Sequence, residues 1–162
     1  MSDFPHMFQD NQDGRAPYWG LPDPETQAEF YQDVTMKRLV AWLIDVALIV
    51  AMCILVGLLT FGIGFFLWGL IYLAVGFIYR VTTLTNKSAT IGMRLTAIEL
   101  RTHKGEKFDR STAALHTLAY FVSMSTFVLQ LISIVMMFTT ARGQGLGDML
   151  FGTAALNRKA GR

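Results

Sequence analysis

The chain has 162 residues, of which 52% are hydrophobic and 16% are charged, and its formal net charge at pH 7 is +2. So small a net charge gives no reason to expect nucleic acid as a partner, and a single cysteine, Cys53, excludes a disulfide within the chain. The distribution of charge is more informative, because residues 39–79 contain one acid and no base and residues 113–141 contain neither. A membrane-spanning helix needs about 20 mainly apolar residues, so we predict an all-α integral membrane protein.

An acidic, proline-bearing segment opens the chain. Residues 1–34 hold all four prolines and seven acids against one base, Arg15, a composition typical of segments without a regular fold. We predict that residues 1–34 form a cytoplasmic segment, that residues 35–157 form the membrane domain, and that residues 158–162 form a basic tail.

Two apolar helices follow, the first over residues 35–59 and the second over residues 64–79. The short uncharged turn between them predicts an antiparallel helical hairpin. Small residues recur along both helices and let helix backbones approach closely in a membrane. The candidate helix-packing positions are Ala47, Ala51, Gly62, Gly69 and Gly76. The alternative is that these glycines only reflect how common glycine is in membrane helices.

Basic residues flank the hairpin at one end only. Lys37 and Arg38 precede the first helix, seven Lys and Arg residues stand from Arg80 to Arg110, and the turn contains none. The positive-inside rule therefore predicts that the N-terminus and the loop of residues 82–111 lie in the cytoplasm.

The loop itself contains β-branched residues on either side of a Lys104-Gly105 turn. This pattern predicts either a small β-hairpin or a segment at the membrane interface. Since each Lys or Arg near the surface contributes about 1 kcal/mol to the binding of anionic lipid, the basic loop is also a candidate lipid-binding site. Ordinary topology signalling is the favoured interpretation of these charges.

The third apolar block, residues 113–140, is too long for one untilted span and short for two complete ones. One long span would leave the basic tail on the far side, against the positive-inside rule. A short hairpin that breaks near residues 123–126 returns the tail to the cytoplasm and is favoured over the single span.

Three charged residues need a structural explanation. Asp45 is the only carboxylate in any apolar block, and it follows Arg38 by seven residues, so both lie on one helix face about 10 Å apart along the axis. Asp148 follows the third block closely and can meet Arg38 if the tail is cytoplasmic. A charge buried in a membrane indicates a functional or structural site, and we predict an intramembrane cluster of Arg38, Asp45 and Asp148.

These residues carry a resemblance to the RDD family of membrane proteins, which is named for one arginine and two aspartates. The resemblance extends from about Met36 to Asn157. It includes Thr90 and Gly92 in the stretch after the second helix, and Gly152 and Thr153 in the closing stretch after Asp148.

Two positions depart from the family pattern, because His116 stands where members often have an arginine and Gly147 where many have a histidine. The resemblance implies a multi-pass fold in a bacterial inner membrane. The activity of the family is largely undefined, although ion transport has been proposed for some members.

No pairing of a nucleophile with a base is visible, so we expect no catalytic, cofactor or metal site and no enzymatic activity. The leading hypothesis is a small protein of the lipid bilayer that associates with itself or with a larger membrane complex, its helices clamped by the charge cluster. The alternative is Na⁺/H⁺-type ion or proton exchange, with Asp45 and Asp148 as the carriers.

Overall fold

The computed structural model describes residues 20–158. The first 19 residues of the predicted acidic segment and the last four of the predicted basic tail lie outside this described part. After a 3-10 turn at Ala28–Phe30, the elements are α1 (Val34–Leu59), α2 (Ile63–Phe66), α3 (Trp68–Lys87), α4 (Ile91–Leu95), β1 (Ile98–Arg101), α5 (Arg110–Ser125), α6 (Phe127–Thr139), α7 (Leu146–Phe151) and β2 (Ala154–Asn157).

Helices α1 and α3 form the predicted hairpin, but α3 occupies a different range from the one predicted. The helical conformation is interrupted at Gly62, whose φ is +89°. Helix α3 begins after this interruption and continues eight residues beyond Tyr79. The threonines in this extension do not break the helix, because the Thr82 and Thr83 hydroxyls donate to backbone carbonyls of the preceding turn. Arg80 therefore lies inside α3, not in a loop.

The buried seam of α1 differs from the predicted one. It repeats every four residues through Ala41, Asp45, Ile49, Cys53 and Gly57. Ala47 and Ala51 are exposed, because they lie two positions from members of this seam and therefore on the other side of the helix. The prediction that these two alanines pack against another helix of this chain is therefore wrong.

Of the three predicted packing glycines, one packs against neighbouring helices and two do not. Gly76 packs at the junction of α1, α3 and α5, where a Cβ would lie 3.2 Å from Phe121 and 3.7 Å from Ile49. A Cβ at Gly69 or at Gly62 would meet no atom within 4 Å. The three glycines recur every seven residues, a spacing that predicts one helix face, but they do not form one packing face because the helix restarts between Gly62 and Gly69.

The basic loop contributes one strand to a two-stranded sheet whose other strand comes from the end of the chain. Strands β1 and β2 pair antiparallel, with Ile98 opposite Asn157 and Arg101 opposite Ala154. The predicted hairpin within the loop is therefore wrong in its pairing. Successive residues of β1 are buried although their side chains point to opposite faces, so both faces of the strand are covered by the protein. A hairpin exposed on the loop would leave one face open to solvent.

The third apolar block is broken at Thr126, where α5 and α6 meet at 116°. The break falls in the predicted range 123–126. The block lies between two strands that pair with each other, because β1 precedes α5 in the chain and β2 follows α7. The block therefore begins and ends at the same end of the molecule. Among residues 20–158, two helices are long and apolar enough to cross a membrane, or three spans result if the bent pair counts as one. The predicted all-α membrane fold is confirmed.

Candidate functional site

Asp148 lies in α7, where its buried carboxylate contacts four groups. Its Oδ2 atom accepts hydrogen bonds from Arg38 Nη1 at 2.5 Å and from the backbone N–H of Gly145 at 3.1 Å. Its Oδ1 atom contacts His116 Nε2 at 2.9 Å and accepts from the Thr153 hydroxyl at 3.0 Å. Because Arg38 belongs to α1 and His116 to α5, this carboxylate joins three helices.

The charge state of Asp148 follows from these contacts. Burial raises the pKa of the carboxyl, but the opposing effects of Arg38 and His116 are larger together and hold the pKa well below its usual range. The side chain is therefore a carboxylate near neutral pH, and its charge is balanced by the guanidinium of Arg38.

Asp45 lies in the buried seam of α1 and is held by neutral groups. Its Oδ1 atom accepts from the Tyr79 hydroxyl at 2.6 Å and from the backbone N–H of Gly92 at 2.9 Å. Its Oδ2 atom accepts from the Thr90 hydroxyl at 2.6 Å. Within residues 20–158, no Lys, Arg or His nitrogen makes an ion pair with Asp45, so three hydrogen bonds replace a counter-charge.

Gly92 allows this arrangement because α4 lies directly against α1. A Cβ at Gly92 would lie 2.1 Å from the carbonyl oxygen of Ala41 and 2.9 Å from Asp45 Oδ1. Only a residue without a side chain brings its N–H this close to the carboxylate. Thr90 serves twice, since it donates to Asp45 and its hydroxyl also accepts from the N–H of Met93 as the N-cap of α4.

The structure thus divides the predicted set of three charges between two sites. Arg38 contacts Asp148, whereas Asp45 binds the segment that follows α3. The seven-residue spacing explains the division, because about 10 Å along α1 separates Arg38 from Asp45. Only the tertiary fold brings Thr90 and Gly92 to Asp45, whereas Thr153 follows Asp148 by five residues.

Both short motifs that carried the family resemblance bind a carboxylate. Thr90 and Gly92 bind Asp45, and Thr153 binds Asp148. Gly152 ends α7 with a φ of +63°, which favours glycine and turns the chain so that Thr153 points back at Asp148. His116, one of the two departures from the family pattern, contacts the carboxylate of Asp148.

Arg80 is the buried charge that the sequence analysis did not single out. Its side chain is 7% exposed, and its guanidinium stacks on the Tyr120 ring with 3.9 Å between Cζ and the ring centroid. The prediction treated Arg80 as a membrane-flanking residue because it is the first charge after an apolar run. The signal that identifies it is the four-residue spacing of Gly76, Arg80 and Leu84, which continues the buried face of α3.

A cavity of about 380 Å³ connects the two carboxylate sites between α1, α3, α5 and α6. Arg38, Asp45, Arg80, His116 and Asp148 all contribute to its wall. Among the residues that the structure describes, no group of three His, Cys, Asp or Glu side chains is placed to hold a metal ion.

Long apolar helices that enclose two buried, hydrogen-bonded carboxylates define a multi-pass α-helical membrane protein, and such helices associate with the lipid bilayer. The sequence profile of the RDD family matches residues 34–152, so the chain belongs to the RDD family, and the predicted resemblance is confirmed. Neither the curated proteins nor the solved structures gave a match to this chain.

Proposed function

We propose that this RDD-family protein has a non-enzymatic role and acts by associating with itself or with a larger membrane complex, while its two polar sites clamp the helices together. The observation that carries the proposal is that donors within the chain occupy both buried carboxylates. Asp148 has four partners and Asp45 has three. Buried polar groups satisfied in this way stabilise one packing arrangement.

The contacts of each site support a clamp because they join segments far apart in the chain. Arg38 and Asp148 are separated by 110 residues, and Asp45 and Gly92 by 47. At the Asp45 site α4 lies directly against α1 at Gly92, and at the Asp148 site the ion pair with Arg38 joins α7 to α1. On this proposal, the polar sites build the membrane domain and the outer faces of the helices contact the partner.

The test of association is the mass of the protein in mild detergent, measured by light scattering during size-exclusion chromatography over a hundredfold dilution. We expect a dimer, a larger oligomer or a stoichiometric complex with a co-purifying partner. A monodisperse monomer without a partner at every dilution would contradict the proposal.

Ion or proton exchange is a second candidate, favoured by the cavity that reaches both Asp45 and Asp148. The donors that occupy their oxygens oppose it, because a carrier carboxylate must exchange these donors for an ion in each cycle. Flux of Na⁺ or H⁺ in reconstituted vesicles decides between the candidates. We expect no flux above that of empty vesicles, whereas a flux abolished by Asp45→Asn would establish exchange.

We also propose a bacterial inner membrane with the N-terminus in the cytoplasm. The positive-inside rule supports this orientation, since the α1–α3 turn has no Lys or Arg and the loop that contains β1 has several. The test uses single cysteines in a Cys53→Ala background. Lys104→Cys should resist an impermeant thiol reagent in intact spheroplasts, and Phe61→Cys in the opposite turn should react.

A further inference from the structure

Arg80 is a buried cation whose guanidinium lacks hydrogen-bonding partners among the residues that the structure describes. Its side chain is 7% exposed, and within residues 20–158 its Nε and Nη2 atoms have no acceptor. A buried charge that lacks a partner is costly, and natural proteins seldom keep one without a reason. Arg38 in the same protein shows the ordinary solution, since its guanidinium contacts Asp148 and the Gly143 carbonyl.

The two carboxylates that line the same cavity as Arg80 do not serve as its counter-ions. Asp45 is bound by Tyr79, Thr90 and Gly92, and Asp148 is bound by Arg38 and its other partners. The acceptor that Arg80 lacks is therefore not supplied by these acids of the chain.

The guanidinium is held in a fixed orientation at the cavity wall. It stacks on the ring of Tyr120, and the Tyr120 hydroxyl accepts a hydrogen bond from the Trp42 indole at 2.9 Å. Arg80, Tyr120 and Trp42 all line the cavity. A guanidinium fixed on one face by an aromatic ring keeps its edge for planar oxyanions, which it binds with two parallel hydrogen bonds.

A second unsatisfied polar group lies in the same wall. Thr117 is 1% exposed, its hydroxyl has no partner among the described residues, and it lines the cavity together with Arg80. The remaining wall is mostly apolar and includes Leu39, Leu84, Met93, Ile134, Met137 and Phe138. A volume of about 380 Å³ lies within the range of small-molecule sites, about 300–1,000 Å³.

We propose that this cavity binds an anionic amphiphile, whose carboxylate or phosphate group pairs with Arg80 while its apolar chain lies against the hydrophobic wall. The Thr117 hydroxyl supplies a further hydrogen bond to the oxyanion. This ligand site goes beyond the association proposed above, and it does not depend on the oligomeric state.

The test uses Trp42 as a reporter inside the cavity. Replacing Trp19 and Trp68 by phenylalanine leaves Trp42 as the only tryptophan, and a bromine atom brought close to it quenches its fluorescence. The probe is 11-bromoundecanoate, and the matched neutral control is 11-bromoundecanol, which enters detergent micelles but carries no oxyanion. We expect saturable quenching by the carboxylate and only weak, linear quenching by the alcohol.

The variants assign this binding to Arg80. We expect Arg80→Gln to weaken the apparent affinity for 11-bromoundecanoate at least tenfold, and Arg80→Lys, which keeps the charge but loses the planar fork, to weaken it at least threefold. The matched control is Arg94→Gln, because Arg94 is exposed on α4 and lies outside the cavity wall. Protection of buried Cys53 from thiol reagents shows that each variant is folded, and Arg80→Lys supplies the result if Arg80→Gln does not fold.

Equal quenching by the carboxylate and the alcohol, or an affinity of the folded Arg80 variants within twofold of the parent, would overturn the proposal. Competition then identifies the source of the oxyanion. Displacement of the probe by phosphatidylglycerol assigns the site to a membrane lipid, and displacement by undecanoate alone assigns it to a free fatty acid. Displacement by inorganic phosphate as strong as that by undecanoate would show that no apolar chain is needed and would contradict the amphiphile.

Discussion

Asp45 and Asp148 are both 1% exposed, yet the protein stabilises them in different ways. Asp148 is paired with a guanidinium and also contacts an imidazole. Asp45 receives three hydrogen bonds from neutral donors, one of them a backbone N–H. The charged site joins the N-terminal part of α1 to the segment that ends the domain, and the neutral site holds the short α4 helix against the middle of α1.

The two sites therefore depend on different properties. The Asp148 site needs an opposite charge, and the Asp45 site needs the close approach of α4 to α1. Removing the partner of a paired buried charge leaves the other charge uncompensated, which is costly in any geometry. Removing one of several neutral donors costs less, but the donors reach Asp45 only because Gly92 lies against Ala41. The Asp148 site should therefore be sensitive to charge, and the Asp45 site to added volume.

The largest effect is expected for Arg38→Met. It leaves the Asp148 carboxylate buried without its guanidinium and should lower the free energy of unfolding by about 3–5 kcal/mol. Unfolding by SDS in mixed micelles, followed through the reactivity of Cys53, measures the change. The matched control is Arg94→Met at an exposed position, with an expected effect within about 0.5 kcal/mol. The double variant with Asp148→Asn should lose less than the sum of the single variants, and strict additivity would show that the pair is not coupled.

Gly92→Ala should have the next largest effect, about 3 kcal/mol and therefore at the top of the usual range for overpacking. The opposing atom is a backbone carbonyl oxygen, so α4 must move away from α1 to accommodate the methyl group. The control is Gly69→Ala, where the added Cβ meets no atom within 4 Å. The same SDS titration compares the two, and equal stabilities would refute the close contact between α4 and α1.

Asp45→Asn should have a smaller effect, about 1 kcal/mol. The amide oxygen of asparagine can still accept from Tyr79 and Gly92, and only the hydrogen bond from Thr90 must be rearranged. Asp148→Asn, measured beside it, should cost more because it leaves Arg38 without its counter-ion. A loss at Asp45 as large as that at Asp148 would place Asp45 in one charge cluster with Arg38.

The smallest effect is expected from pH. Because the folded protein holds the pKa of Asp148 below its usual range, the contribution of this group is fully present above its unfolded pKa of about 3.9 and is lost as the pH falls through the folded value. The coupling between Arg38 and Asp148 should therefore be the same at pH 8 and pH 5. Double-variant cycles at both pH values check this, and a coupling halved at pH 5 would contradict it.

Much of the membrane architecture could be predicted from the distribution of charge and hydrophobicity. The bounds of α1 agree with the prediction within one residue, and the break in the third block falls where a short run of serine and threonine interrupts it. Helix α3 was predicted too short, because a charged residue usually marks the end of a span. Arg80 is an exception to this rule, since the ring of Tyr120 covers it inside the protein.

The sequence by itself determined that this is an apolar helical membrane protein of the RDD family and which three charges require an explanation, because burial in lipid restricts both composition and charge. Only the tertiary structure decided which groups bind each carboxylate, because Thr90 and Gly92 reach Asp45, and Arg38 and His116 reach Asp148, by folding and not by spacing. It also showed that β1 pairs with β2 and that Arg80 is buried without an acceptor for its Nε and Nη2 atoms among residues 20–158. These features depend on contacts between residues far apart in the chain, which no local pattern records.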